Sequence, residues 1–285
     1  MTRRRFPVGK TLLYVFMSLW ALTTIYPFIW VILNSFKPRG LIRSDTFSLP
    51  IGDKFTLENY VTAFKRVDIG TAYVNSIVIS GAVTVVVMVL AGLAAYAMVR
   101  YSFRLRGFLH SMIIASMMFP VFSTIIPVFR MESSWGIVNT GSIWLTRLSV
   151  VLPQIAGNLS FAIIVLMGFI RSLPVDLEEA AYLEGYNVYQ IFFRIIMPLA
   201  NPSFATVGIF TFLWSYNDLF LQMFFLRSKK FFTITRLLNE ISSQAGTNYG
   251  LMVAAVVMVV IPVLVVYIFL QNYIIKGMTA GAVKG

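Results

Sequence analysis

The sequence predicts an all-α polytopic membrane protein, and three observations carry that reading. Hydrophobic residues make up 58% of the 285 positions and charged residues only 12%, with a mean hydropathy of +0.81; a water-soluble fold could not hide that much apolar surface. The apolar residues gather into six runs, roughly 11–35, 74–98, 108–129, 148–170, 203–226 and 249–273, each near the ~20 residues that cross ~30 Å of hydrocarbon as a helix. Between the fourth and fifth runs, residues 173–202 are patterned as two short polar-faced helices. No separate soluble domain accompanies the runs, so one transmembrane domain over 1–285, with an inserted loop at 171–202, is expected.

The first run is too long for the apolar core of a cleavable signal peptide and lacks a small-residue cleavage site, so it is expected to remain as an anchor and first span. Pro27, Pro120, Pro127, Pro153 and Pro262 fall in the runs and are expected to interrupt helices, which a bundle tolerates where neighbours or a water-filled path satisfy the freed carbonyls. The fifth run holds Trp214-Ser215-Tyr216-Asn217-Asp218. An ionisable group inside a span is costly and faces a cavity, a partner or the bundle interior, while aromatic rings beside an amide suit sugar faces and hydroxyls. Trp214, Tyr216, Asn217 and Asp218 are therefore candidate pathway residues, with structural hydrogen bonding as the competing role. After the sixth run the tail 277–285 is glycine-rich. A frayed terminus is expected there, although bare glycine backbone can also approach another chain closely.

The insert reads as helix, glycine turn, helix. Pro174 sets a turn, Asp176 can cap a helix beginning at Leu177, and Glu179 stands where the third residue of a capping box would reach back. Glu178 and Glu179 lie in the first turn, at the positive end of the helix dipole. Ala180 and Ala181 leave a flat surface, and Gly185 ends the helix. From Asn187 a second helix carries Val188, Ile191, Phe192, Ile195 and Ile196 on one face until Pro198 and Pro202 break it.

Several function classes fall away. The net charge of +12 could suggest nucleic acid, but the basic residues are scattered over every loop without interleaved stacking aromatics, so anionic lipid headgroups are the better counterpart and no nucleic-acid partner is expected. With no cysteine, thiol chemistry is excluded. His110 is the only histidine and stands without ligand-type neighbours, so no metal site is expected. No Gly-x-x-x-x-Gly-Lys-Ser/Thr loop occurs, which leaves no phosphate cradle of the usual kind for ATP. Basic residues divide almost evenly between the two sides of the predicted spans, so their count does not orient the chain. Density at Arg3, Arg4 and Arg5 and in the short loop holding Arg100, Arg104 and Arg106 favours an inside N-terminus.

The insert's pattern, Glu179-Ala180-Ala181, then Gly185, Ile195 and Pro198, resembles the EAA loop of permease subunits in ABC importers. Met197 stands where the family usually has Leu, and Glu184 where Asp commonly precedes the Gly. Resemblance extends to Tyr26-Pro27-Phe28, Ser35-Phe36-Lys37, Phe55-Thr56-Leu57-Glu58-Asn59-Tyr60, Asn75-Ser76, Ala94-Ala95-Tyr96-Ala97 with Arg100 and Phe103, Met118-Phe119-Pro120, Ile126-Pro127, and 136–140. It is closest to the smaller permease of maltose-type importers, whose chain ends in a sequence like Gly277-Met278-Thr279-Ala280-Gly281-Ala282-Val283-Lys284-Gly285.

The resemblance implies six transmembrane helices in the type I ABC importer fold and a cytoplasmic hairpin in which Glu178, Glu179, Ala180, Ala181, Gly185, Ile195 and Pro198 couple to an ATPase. It implies a tail (Thr279, Gly281, Lys284) at the ATPase interface and both termini inside a bacterial or archaeal cytoplasmic membrane. Expected partners are a second homologous permease, two copies of the ABC ATPase, an extracytoplasmic solute-binding protein and membrane lipid; ATP and Mg would be bound by the ATPase, and this chain would carry no cofactor and catalyse nothing itself. The implied function is carbohydrate import by alternating access. An ATP-independent secondary transporter is the rival and would need ionisable residues in several spans, where only Asp218 lies deep. A membrane glycosyl-transfer enzyme would need paired acids; Asp176, Glu178, Glu179 and Glu184 are the only cluster, and capping and the EAA pattern explain them better. Arg227, Lys229, Lys230 and Arg236 would suit an anionic saccharide or serve as solvated loop ends.

Overall fold

The computed structural model describes residues 8–66, 68–245 and 248–282; Arg3, Arg4, Arg5 and Lys284 lie outside them. Among the described residues all regular structure is helical. In chain order the helices are α1 (Val8–Ser35), α2 (Arg39–Ser44), α3 (Glu58–Arg66), α4 (Ile69–Arg100), α5 (Arg106–Ser116), α6 (Val121–Ser134), α7 (Ile143–Ile170), α8 (Asp176–Leu183), α9 (Val188–Ile191), α10 (Met197–Leu199), α11 (Asn201–Asn217), α12 (Leu219–Phe225), α13 (Ile234–Ala245) and α14 (Tyr249–Ala282). Two compact units result, Met1–Asp68 with Leu238–Pro262, and Ile69–Leu237 with Val263–Gly285.

In the first unit, α1 exposes Leu12, Tyr14, Phe16, Leu19 and Trp20, as a helix does when its surroundings are hydrocarbon rather than water. Its C-terminal carbonyls are tied down from the following loop. Asn59 Nδ2 donates to the carbonyls of Ser35 (2.9 Å) and Lys37 (2.8 Å). Lys37 is fully buried, and its ammonium donates to the carbonyls of Asp45 and Thr46 at 3.0 and 2.8 Å. Burial lowers its pKa below the ordinary lysine value, and the two carbonyls supply the partners a buried charge requires.

The second unit is organised by α4. Its buried positions Ile69, Ala72, Ser76, Ile79, Val83, Val87, Ala91, Ala95 and Met98 recur every three or four residues, a stripe along one face. That stripe packs on α7 and α11. Small residues let the backbones close: a Cβ on Gly92 would lie 2.8 and 2.9 Å from two ring atoms of Phe204 and 3.0 Å from Phe192, and both rings are fully buried.

Among the described residues three helices are long and apolar enough to cross a membrane, within α1, α4 and α7; counting each bent helix pair as one span gives up to five. The expected third run is not straight, since α5 and α6 meet at 104°. Pro120 stands immediately before α6 in an extended conformation, which a residue without an N–H and with fixed φ imposes at a helix start. The fifth run, expected over 203–226, breaks at Asp218 into α11 and α12. Pro27, Pro127, Pro153 and Pro262 all lie inside unbroken helices, contrary to expectation: each removes one backbone bond, and the long apolar helix continues past it. The tail also departs from the frayed reading, because α14 runs through Thr279 and Gly281 to Ala282.

Gly92→Ala should lower stability by about 1–3 kcal/mol, the usual cost of overpacking a core that cannot give way. Gly81→Ala, whose Cβ would meet open space, should not. Thermal unfolding of both variants in detergent checks this; equal melting temperatures would mean the α4–α11 contact is looser than described.

Candidate functional site

Two features stand out among the described residues of the second unit: the hairpin after α7 and a groove beside the α11–α12 break. Among the described residues no three His, Cys, Asp or Glu side chains gather as they would around a metal ion.

The hairpin is built by local chemistry. Gly185 adopts φ +86°, its N–H donates to the Tyr182 carbonyl and that of Tyr186 to the Ala181 carbonyl, both at 3.0 Å. This pair of bonds closes a helix with glycine in the left-handed region. Asn187 then caps α9: its Oδ1 accepts from Gln190 N while Gln190 Oε1 accepts from Asn187 N, each at 2.9 Å, a reciprocal capping box. Asp176 does not cap α8. It is that helix's first residue, preceded by Val175, with no side-chain cap, so it favours the helix through the dipole and not through a capping bond. Nor does Pro198 end the second helix. A wide π turn at Phe192–Ile196, with Met197 N–H bonding the Phe192 carbonyl, precedes it, and the helix continues to Leu199. The true break is at Ala200, where the path bends by 81° into α11, with Pro202 in the first turn.

A buried polar cluster fastens this hairpin to the end of α4. Glu178 is 4% exposed. Its Oε1 pairs with Arg100 Nε and its Oε2 accepts from the Tyr96 hydroxyl at 2.7 Å, while a second guanidinium nitrogen of Arg100 donates to the Leu173 carbonyl at 3.0 Å. The Tyr96 ring packs against Phe192 at 5.6 Å and Tyr101 at 6.0 Å. The expected coupling residues therefore divide. Glu178 and Ala181 are buried within this chain, Ile195 is half-buried, and Glu179, Ala180, Gly185 and Pro198 are exposed. Leu183, which sequence reasoning passed over, is 91% exposed. With Glu179 and Ala180 it gives α8 an outward face of one carboxylate and small and branched apolar groups.

The groove has a volume of about 460 Å³ and is lined by α6, α7, α11 and α12. Asp218 sits at the helix break: its Oδ1 accepts from Leu221 N at 3.1 Å, capping α12, and its Oδ2 accepts from Gln154 Nε2 at 3.0 Å. Ser215 Oγ donates to Gln154 Oε1 at 2.5 Å. Gln222 Nε2 donates to the Ser215 carbonyl at 3.1 Å, and Thr233 Oγ1 donates to Gln222 Oε1. Of the expected pathway residues Trp214, Asn217 and Asp218 line the groove and Tyr216 does not; Tyr216 is buried and stacks on Phe212. Gln154, Asn158, Phe122 and Phe220, all missed in the sequence, also line it. The first two are polar residues four apart in an otherwise apolar run, which was the available signal.

Comparison with known proteins places the chain in a family. The family model for binding-protein-dependent transport system inner membrane components matches residues 88–280. The chain is 33% identical over 273 residues to the diacetylchitobiose uptake system permease protein NgcG of Streptomyces coelicolor, covering 95% of this chain and 88% of that one. It is 32% identical to the trehalose transport system permease protein SugB of Mycobacterium tuberculosis, covering 92% and 93%. Among solved structures, a chain of a bacterial ABC transporter involved in import of the acidic polysaccharide alginate superposes with a TM-score of 0.81 at 23% identity, covering 96% and 99%.

The cluster makes a testable demand. Removing one member of a buried ion pair strands the other charge and typically costs about 3–5 kcal/mol, while replacing both by apolar groups can be neutral. Arg100→Met or Glu178→Leu should each raise hydrogen exchange across 173–192. The double substitution should recover much of the protection, and Glu179→Leu should change nothing. Equal effects at Glu178 and Glu179 would contradict the assignment.

Proposed function

Because the chain belongs to the family of binding-protein-dependent transport system inner membrane components, we propose that it is one of two permease subunits of an ATP-driven carbohydrate importer, translocating sugar without an ATP site of its own. The observation that carries the mechanism is the hairpin: a water-facing element with an exposed Glu179–Ala180–Leu183 face, fastened from behind to the long helix α4 through Glu178 and Arg100. Such an element transmits displacement. A partner ATPase closing on ATP would move the outward face, and the tie to α4 would carry that motion into the spans, shifting the population from inward-open to outward-open. Sugar as cargo is supported by the relatives, whose names give diacetylchitobiose and trehalose as theirs.

The rest of the reading follows as one picture. The chain forms a single transmembrane domain of six spans in an inner membrane, with the bent pairs and α14 completing the count, and both termini and the hairpin cytoplasmic. It works beside a second homologous permease, two ATPase copies that hold ATP and Mg, and an extracytoplasmic binding protein that delivers the sugar. Thr279, Gly281 and Lys284 reach the ATPase interface. Trp214, Asn217 and Asp218 line the route.

Two outcomes are expected. Gly185→Val forces a β-branched residue into the left-handed region, costing at least the ~1–2 kcal/mol of any L-residue there, so sugar uptake and substrate-stimulated ATPase activity in proteoliposomes should fall several-fold while membrane insertion stays normal. Unchanged uptake would remove the hairpin from the mechanism. The purified chain alone should hydrolyse no ATP, and hydrolysis should appear only with the second permease and the ATPase; sugar transport by this permease with the ATPase alone would contradict the two-permease assembly.

A further inference from the structure

We infer that the groove beside the α11–α12 break is a contact site for a neutral saccharide and disfavours uronates. The inference rests on the pathway reading above and adds the charge of the ligand to it. At about 460 Å³ the groove falls within the roughly 300–1,000 Å³ of small-ligand sites. One side is aromatic. Trp214 is held edge-on to Phe161 at 4.8 Å and tilted against Phe210 at 5.6 Å, yet is 46% exposed, and Phe122 meets Phe220 edge-to-face at 4.8 Å. Fixed rings of this kind present flat apolar faces to the C–H faces of a pyranose.

The polar side is specified by how its hydrogen bonds are already spent. Asn158 Nδ2 donates to the Gln154 carbonyl at 2.7 Å and Asn217 Nδ2 to the Leu213 carbonyl at 2.8 Å; a carbonyl partner fixes which end of each amide is the donor. Each amide keeps its Oδ1 acceptor and one N–H. Both Asp218 oxygens are engaged once and retain acceptor capacity. Gln154, 3% exposed, is consumed between Ser215 and Asp218. What the groove offers is therefore mainly acceptors, with two amide N–H groups, and its lining includes no Lys, Arg or His.

Hydroxyl groups, which donate and accept, complement that set. A carboxylate would face Asp218 with no cation to offset the repulsion. An acyl chain would leave these acceptors desolvated and unpaired. The acidic cargo named for the structural neighbour thus does not carry over with the fold.

Because the chain has no cysteine, the groove can carry a single thiol. Gly157 lines it, and a side chain there would meet open space. The assembled transporter with Gly157→Cys is treated with a charged maleimide, and the labelling rate of this chain is read by mass in the presence of trehalose, raffinose, diacetylchitobiose or digalacturonate. At least one neutral sugar should slow labelling several-fold while digalacturonate does not. Asp218→Asn should then improve digalacturonate protection roughly fivefold, the equivalent of about 1 kcal/mol between like charges ~4 Å apart in water. Equal protection by digalacturonate, protection by no sugar, reaction only with an apolar maleimide, or a thiol reactive in the isolated chain but silent in the complex would each overturn the inference; the last two identify an acyl chain or the second permease as occupant. Sugar uptake by the unsubstituted transporter separates the two readings. Import without protection removes the groove alone, and absence of any saccharide import removes the proposed function.

Discussion

The buried ion pair between Glu178 and Arg100 is the constraint on which the water-facing part of this protein depends. Without it α8 would be a two-turn helix on a glycine turn, too short to hold an orientation by its own backbone bonds. With it, the carboxylate is spent on Arg100 and Tyr96, the guanidinium also holds the Leu173 carbonyl at the start of the hairpin, and Phe192 of the returning helix packs on the same tyrosine. Both limbs of the hairpin are thereby referred to the last turns of α4. Such a pair adds little net stability over an apolar replacement, but it is severe on partial loss. It serves orientation more than stability, as the proposed coupling role requires.

α4 in turn fixes the rest of the second unit. Its buried stripe receives α7 and α11, and Gly92 lets the Phe204 and Phe192 rings lie against its backbone. A displacement delivered at Arg100, as the proposed mechanism requires, would therefore enter the helix on which the others pack. α7 carries Gln154 and Asn158, and α11 ends at Asp218, so the helices that receive the motion also line the groove. In the proposed mechanism, relative movement of α7 and α11 would open and close that groove with no additional device.

Much of this was legible in the sequence, and what was not has a physical reason. Gly185 and the start of a second helix at Asn187 were readable because turn chemistry is local: a left-handed residue needs only its neighbours, whereas the capping box of Asn187 with Gln190 was not read. Asp176 was misread as a cap because the helix already begins there, one residue before the expected start, with Val175 itself in a helical conformation. Hydrophobic runs give the length of a span and not its path: of the five prolines expected to interrupt helices Pro120 does so, the other four are absorbed, and the break at Asp218 was invisible. Glu178 was placed with the docking residues because its partner Arg100 is 78 positions away and no spacing rule reports so distant a pairing. The same holds for Trp214 and Asp218, whose groove partners come from α6 and α7. Family membership displaces the rival of an ATP-independent transporter, since the matched family is binding-protein-dependent.

The central claim, that the hairpin and α4 move as one body, is tested most directly by a distance. Leu183 is 91% exposed and Gly81 faces open space, so both accept a spin label in this cysteine-free chain. Pulsed electron–electron resonance on the assembled transporter, without nucleotide and with ATP trapped, should give the same Leu183–Gly81 distance distribution in both states. A shift of several ångströms or a broadening on ATP binding would show the hairpin swinging independently of α4, and the buried pair would then not be the link.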